Sequence, residues 1–377
     1  MATSMTTDIL RDLAAFQAEN GCALSIYLDL DRSSTATIPE VEAKFNAVFS
    51  EAEKAAESHR GSRDCRAALR EDIGQIRAWW ADFDRDGARG VAVFASSADG
   101  FFRAVPLAEP VGDSVHVAGE LYLTPLASQI GRGDGALVVV VSRERGTVYR
   151  LAGGRLVEVV DESDEVPGRH DQGGWSQARY QRHIENLVLE HLKNVGEEVV
   201  RRVRVDGANL TIVAVGPEEV RADFEAKLSH EARAALAGWT AAESHAGPSE
   251  LLTLVRPLLD EARGRREQAL VERWQEERGR GGRAAGGWKQ TLDAASDARV
   301  EVLLLGEGAQ RAAWRCPECG RASADGGKCP LDGTKLEQRE DGSDLAIHQT
   351  LAGGGTVIRI GRGALAGADG IGALLRY

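Results

Sequence analysis

Between Gly135 and Val215 the hydrophobic period of the chain changes more than once, and that succession restricts the fold more than any other stretch. Residues 135–142 (Gly-Ala-Leu-Val-Val-Val-Val-Ser) form a continuous β-branched run, the pattern of a buried strand. Arg143 to Gly146 supplies a turn, and Thr147 to Leu151 pairs back as a second strand. The period then lengthens. Tyr180, Ile184, Leu187, Val188, Leu192, Val195 and Val199 recur at helical spacing, so one long helix buries that stripe against the sheet. Leu210 to Val215 is a further strand, closed by Gly216-Pro217 ahead of another helix. A hairpin, a long amphipathic helix and a returning strand build a mixed α/β layer.

The hairpin and the long helix are joined by Pro-Gly-Arg-His-Asp-Gln-Gly-Gly-Trp-Ser-Gln-Ala-Arg-Tyr-Gln-Arg-His, residues 167–183. Gly173 and Gly174 carry no β-carbon, so the backbone there reaches dihedrals closed to other residues and can approach a ligand closely. Ser176 reads as an N-cap, and the free N–H groups of the first helical turn then make an anion site beside Arg179 and Arg182. His170, next to the glycines, is placed to donate to a phosphate or to cap the turn. A glycine pair before a helix is common as a simple cap; here the basic helix and the strands on either side favour a ligand-facing loop.

The order Gly-Gly-x-Ser-x-x-Arg-aromatic-x-Arg, with His170 and Arg169 before it, resembles the central-domain signature of archaeal and eukaryotic class-one translation termination factors, Pelota and their bacterial relatives. The resemblance extends to the strand, hairpin, loop, helix and strand around it. In that family the loop enters the peptidyl transferase centre and the residue after the glycines is Gln; here it is Trp175. The family's decoding stretches, Asn-Ile-Lys-Ser and Tyr-x-Cys, are absent. The resemblance therefore implies a ribosome-binding factor of the hibernation or rescue type, similar to the bacterial hibernation factor Balon. It implies contacts with 23S and 16S rRNA, with tRNA and with elongation factor Tu, and no catalytic side chain. The alternative it leaves open is a release-factor-like peptidyl-tRNA hydrolase.

At 377 residues the chain exceeds one ordinary core. Three α/β domains are expected: an N-terminal one over 1–128, the central release-factor-like one over 129–276, and a C-terminal one over 277–377 with a zinc-ribbon insertion at 314–340. In the first, Thr7–Gln17, Val41–Ser58 and Asp64–Phe83 read as helices and Ala23–Leu28, Gly90–Ser96 and Phe101–Pro106 as strands. Cys22 and Cys65 stand alone in the sequence and read as inert. No apolar run approaches a membrane span and no leader pattern opens the chain, so a cytoplasmic protein is expected, with neither membrane nor DNA as partner. The net charge of -12 means that any RNA contact must come from local basic patches.

Ser249 to Arg278 is a helix, apolar early and charged late. The next segment, Arg-Gly-Arg-Gly-Gly-Arg-Ala-Ala-Gly-Gly (278–287), has few acidic partners and reads as a hinge or a phosphate-contacting loop. A helix from Trp288 to Ala295 and strands Val300–Leu305 and Thr356–Ile360 follow, an order similar to the family's C-terminal domain and so to kink-turn-binding ribosomal proteins. Within it Cys316-Pro-Glu-Cys319-Gly and Cys329-Pro-Leu-Asp332-Gly are two short knuckles, each ending in a glycine that permits the turn. Three thiolates and one carboxylate around a point suit a tetrahedral structural zinc, with His348 as an alternative fourth ligand. His183 and His191, on the long helix, read as solvent- or partner-facing.

Overall fold

The computed structural model describes residues 7–31, 33, 37–59, 63–85, 87–130, 135–163, 175–206, 210–242 and 246–377, with the side chains of 162–163 and 175–184 left aside. It divides into two compact units, one formed by residues 1–132 together with 264–377 and the other by 133–263.

The N-terminal segment contains α1 (Thr7–Ala14), β1 (Ala23–Asp29), α2 (Ile38–Ser58), α3 (Arg63–Asp82), β2 (Gly90–Ser96), β3 (Phe101–Leu107), β4 (Ser114–Ala118) and the short α4 (Thr124–Ala127). Helix α2 starts at a capping box: the Thr37 hydroxyl accepts from the Glu40 N–H while the Glu40 carboxylate accepts from the Thr37 N–H. The strands form an antiparallel sheet in the order β3-β2-β1-β4. Strand β1 is buried on both faces, and its two-residue period sorts its side chains. Leu24, Ile26 and Leu28 meet Phe45, Phe49, Ile76 and Trp80 of α2 and α3. Ala23 and Tyr27 point the other way, into a core shared with Leu292, Leu303 and Ala346 of the C-terminal segment. That second apolar face is why the two ends of the chain form one unit.

Cys22 and Cys65 are not isolated: α3 starts beside the head of β1, and a disulfide joins them across 43 residues. The sequence separation concealed a proximity that only the packing of α3 on the sheet creates.

The central unit holds β5 (Leu137–Val141), β6 (Arg145–Ala152), β7 (Arg155–Ser163), α5 (Trp175–Asp206), β8 (Ile212–Val215), α6 (Glu218–Glu225), α7 (His230–Ala234), β9 (Leu236–Thr240) and the first half of α8 (Pro248–Gly279). Its sheet runs β7-β6-β5-β8-β9. β5 pairs antiparallel with β6, with Val139 opposite Val148, and parallel with β8. Val188, Leu192, Val195 and Val199 of α5 cover one face, and Leu251, Val255 and Leu259 of α8 cover the other. Helix α5 lies so close to β6 that a β-carbon on Gly146 would collide with the Val195 side chain. His191 is 1% exposed on this inner face, so it is a core histidine and not a solvent-facing one.

The C-terminal segment continues with β10 (Ala284–Gly286), α9 (Trp288–Ser296), β11 (Val300–Gly306), β12 (Ala313–Arg315), β13 (Ala322–Ser323), β14 (Glu337–Arg339), α10 (Gly342–Ala352), β15 (Thr356–Ile360) and β16 (Ile371–Leu375). The main sheet is β10-β16-β11-β15, and a small three-stranded sheet, β13-β12-β14, is inserted between β11 and α10. The glycine-rich stretch after α8 is neither a hinge nor a free basic loop. Ala284–Gly286 is paired as an edge strand, the Glu277 carboxylate accepts from the Arg283 N–H, and Arg280 pairs with Glu276 and Glu277. Small residues here let the chain lie against the α8 terminus and β16, and the acidic partners come from the preceding helix.

Candidate functional site

The glycine loop and its helix carry the first group of site residues. His170, Gly173 and Gly174 lie outside the described residues. Trp175, Ser176, Arg179 and Arg182 fall in the first two turns of α5, where the backbone alone is described. Since α5 begins at Trp175, Ser176 sits within the first turn and is not the N-cap. Further along, α5 is firmly seated. Its apolar stripe is buried, and Arg202 is held by Glu198 (2.9 Å) and donates to the Val159 carbonyl (3.4 Å). From Val188 onward the helix is thus packed into the central unit.

The second group is built by the inserted three-stranded sheet. Cys316 follows β12 directly, and its N–H donates to the Arg321 carbonyl while Gly320 N–H donates back to the Cys316 carbonyl. The second knuckle repeats this arrangement, with Cys329 N–H to Thr334 O and Gly333 N–H to Cys329 O. Gly320 and Gly333 have φ of 75° and 77°, the left-handed conformation that the two knuckles need. The ligand atoms of Cys316, Cys319, Cys329 and Asp332 all lie within 4.8 Å of one another. Cys316 Sγ is 3.3 Å from Asp332 Oδ2, and Cys319 Sγ is 3.5 Å from Cys329 Sγ. A tetrahedron of ligands about 2.3 Å from zinc has edges of about 3.8 Å, so the four donors can hold a metal ion with little adjustment.

The electrostatics of the cluster are those of crowded acidic groups. The Asp332 carboxyl is held below the ordinary carboxylate range, first by the Thr334 N–H it accepts. The Cys319 thiol, lowered by a hydrogen bond from the Arg321 backbone, is nevertheless pushed up to about 12 by desolvation and its neighbours Cys316, Cys329 and Asp332. A cation among them would reverse that balance and favour the thiolates. His348 is not an alternative ligand. It is buried in α10 with Nε2 2.8 Å from the Leu121 carbonyl and 3.6 Å from Asp344.

The inserted sheet is tied down on several sides. Arg321 pairs with Asp297 (2.7 Å) and Asp293 (3.5 Å) of α9 and its end, Gln349 of α10 donates to the Gly320 carbonyl, and Arg315 pairs with Glu120 of the N-terminal segment. Beside it runs a polar seam that sequence reading missed. Tyr122 donates to Asp341 at 2.7 Å, and Asp344 accepts from the N–H groups of Leu123 and Thr124. No spacing signals this seam, because its partners are more than 200 residues apart.

Residues 122–258 match the family model Bacterial archaeo-eukaryotic release factor family 10. The chain is similar to peptide chain release factor subunit 1 of Archaeoglobus fulgidus, 31% identical over 214 residues covering 55% of this chain and 52% of that protein. It is likewise 31% identical to the Methanopyrus kandleri protein of that name over 222 residues, 56% of this chain and 53% of the relative. The chain thus spans about half the length of the curated relatives it matches. A crystal structure of Archaeoglobus fulgidus Pelota aligns over 100% of this chain and 94% of that one at 14% identity, with a TM-score of 0.34. Over the matched segments the chain is thus similar to archaeal class-one release factors and to their bacterial release-factor-like relatives.

Proposed function

We propose that this chain is a ribosome-binding translation factor whose Gly173-Gly174-Trp175 loop occupies the A-site side of the peptidyl transferase centre without releasing peptide. The observation that carries the reading is the family match over residues 122–258, which contains both the loop and the helix that follows it. Its partners would be 23S and 16S rRNA and tRNA, with elongation factor Tu as a delivering protein. The setting would be ribosome dormancy or rescue. The three segments 1–128, 129–276 and 277–377 would act as the family's three domains, the last with a kink-turn-binding type of fold.

The chemistry of position 175 separates this reading from hydrolysis. Hydrolysis of a peptidyl-tRNA ester needs an oriented water and donors for the developing oxyanion. Backbone N–H groups around Gly174 can serve as donors. The indole of Trp175 offers one N–H and no acceptor, so it cannot orient a water as a Gln carboxamide does. It can stack on a base or ribose, which is worth roughly 1–3 kcal/mol per base. Cys316, Cys319, Cys329 and Asp332 would hold a structural zinc that stiffens the inserted sheet, with no part in the reaction.

The test is release of labelled peptide from defined ribosome complexes with peptidyl-tRNA in the P site. The wild-type protein should bind and release little peptide; Trp175→Ala should bind more weakly without gaining activity, and Trp175→Gln should gain measurable release. Fast release by the wild type, abolished by Gly174→Ala, would overturn the non-catalytic reading in favour of a peptidyl-tRNA hydrolase.

A further inference from the structure

Far from the glycine loop in sequence, three elements of the N-terminal segment meet around two sulfur atoms. Cys22 immediately precedes β1, Cys65 is the third residue of α3, and His59 caps the C-terminal end of α2. The cysteines are disulfide-bonded, and His59 Nε2 lies 3.1 Å from Cys22 Sγ. All three ligand atoms fall within 4.8 Å of one another. Both cysteines sit at the margin of the α2–α3 core, Cys22 8% and Cys65 4% exposed, and His59 is half-buried.

A crosslink that serves only as a staple needs no titratable neighbour. This one has two features that stabilise thiolates. An imidazole in contact with Cys22 offers its sulfur a hydrogen-bond donor and a proton, and the backbone N–H groups of the first turn of α3, where the charges of Arg63 and Asp64 offset each other, turn the positive end of the helix dipole toward Cys65. Both lower the free energy of the reduced pair relative to the disulfide, the means by which redox-active cysteines differ from structural ones.

We propose that Cys22 and Cys65 are a redox-active pair served by His59, exchanging with low-molecular-weight thiols and their disulfides. An external thiolate attacks Cys65 Sγ, forming a new S–S bond; the Cys22–Cys65 bond breaks and its electron pair leaves on Cys22 Sγ, where His59 pairs with the charge and supplies the proton. A second external thiolate attacks the outer sulfur of the mixed disulfide and leaves Cys65 as thiolate, which takes up the other proton. Two external thiols have then become one external disulfide, and the protein pair has gained two electrons and two protons. The opposite sequence closes the link. Closure joins the head of β1 to the first turn of α3, so the redox state decides whether those elements are covalently tied.

The experiment is differential alkylation of the full-length protein after native incubation with a small monothiol and its disulfide in varied ratio, read peptide by peptide by mass spectrometry. Cys22 and Cys65 should become alkylated together as the thiol fraction rises and become protected again on reoxidation, with the far-UV circular dichroism unchanged. His59→Gln should slow reduction at neutral pH roughly tenfold through the poorer leaving group. His59→Lys should restore the rate and flatten its pH profile, a result that loss of packing alone would not give. A pair that opens only in denaturant would make the bond a plain staple and overturn the proposal. So would a His59→Gln rate and pH profile matching the wild type. A second equivalent of bound metal, lost on Cys22→Ser, would overturn it in favour of a Cys-His-Cys metal site.

Discussion

At the scale of single residues, the donor set of the inserted sheet divides cleanly. Cys316, Cys319, Cys329 and Asp332 converge, whereas His348 is engaged with the Leu121 carbonyl. Purified protein is therefore expected to carry about one zinc per chain by elemental analysis, since four donors close a structural site. Cys316→Ser or Cys329→Ser should lose it, because removal of one thiolate opens the tetrahedron. Asp332→Ala should weaken binding, and His348→Ala should leave the metal content unchanged. Zinc that survives Cys329→Ser but leaves on His348→Ala would refute the donor assignment. Cys22 and Cys65 show the opposite case, in which residues with no motif around them gain chemistry from proximity.

At the scale of elements, α5 combines two roles along one helix. Its C-terminal two-thirds is bound into the central core through Val188, Leu192, Val195 and Val199, and its N-terminal turns carry Arg179 and Arg182. A helix held at one end presents the other at a defined place, and cations in its first turns add to the positive end of the backbone dipole. If the proposed ribosome contact holds, Arg179→Glu combined with Arg182→Glu should weaken cosedimentation with 70S ribosomes by at least tenfold and flatten the salt dependence of what remains, since two charges proposed to meet phosphates are reversed. The same exchange at Arg263 and Arg266 should matter less, for those residues lie in the body of α8. Equal losses in the two double variants would remove the special status of the α5 head.

At the scale of the whole molecule, the first and last segments share one core and the Tyr122–Asp341–Asp344 seam. Residues 1–132 expressed alone would expose Tyr27, Phe94, Leu121 and Leu123, so they should aggregate or bind a hydrophobic dye, and co-expression of 264–377 should bring them into solution. A soluble, cooperatively folded 1–132 fragment would contradict the shared core. The seam also makes stability depend on pH. Burial lifts the Asp344 carboxyl to about 6; His348 and the hydrogen bond from Leu123 oppose the shift, Asp341 adds to it and Thr124 opposes it. Tyr122 and His116, stacked at 3.6 Å, complete its polar surroundings. A carboxyl whose pKa is higher folded than unfolded holds its proton better in the native state. Its contribution is complete below about pH 4 and is lost as pH rises through about 6. In urea titrations the stability of Asp344→Asn relative to wild type should therefore rise between pH 4 and 7. Parallel curves for the two proteins would mean that Asp344 does not titrate in this way.

Local pattern alone determined the strands at Ala23, Gly90, Phe101 and Val300, the helices α2, α3, α5, α8 and α9, and the paired knuckles with their turning glycines. Period and turn chemistry are properties of neighbouring residues, so they can be read in one dimension. Two half-buried edge strands escaped that reading: β4, with the mixed pattern Ser-Val-His-Val-Ala, and β7, with Glu and Asp among its valines, carry a weak apolar signal. Only the tertiary structure decided that His191 is a core residue, that the glycine-rich stretch after α8 is an edge strand with Glu277 behind it, and that His348 serves the Leu121 carbonyl. The same holds for the Cys22–Cys65 link and for the union of the chain's two ends. Each depends on groups tens to hundreds of residues apart, and their encounter is settled by which apolar faces must be covered, a requirement that belongs to the packed molecule and leaves no local spacing in the sequence.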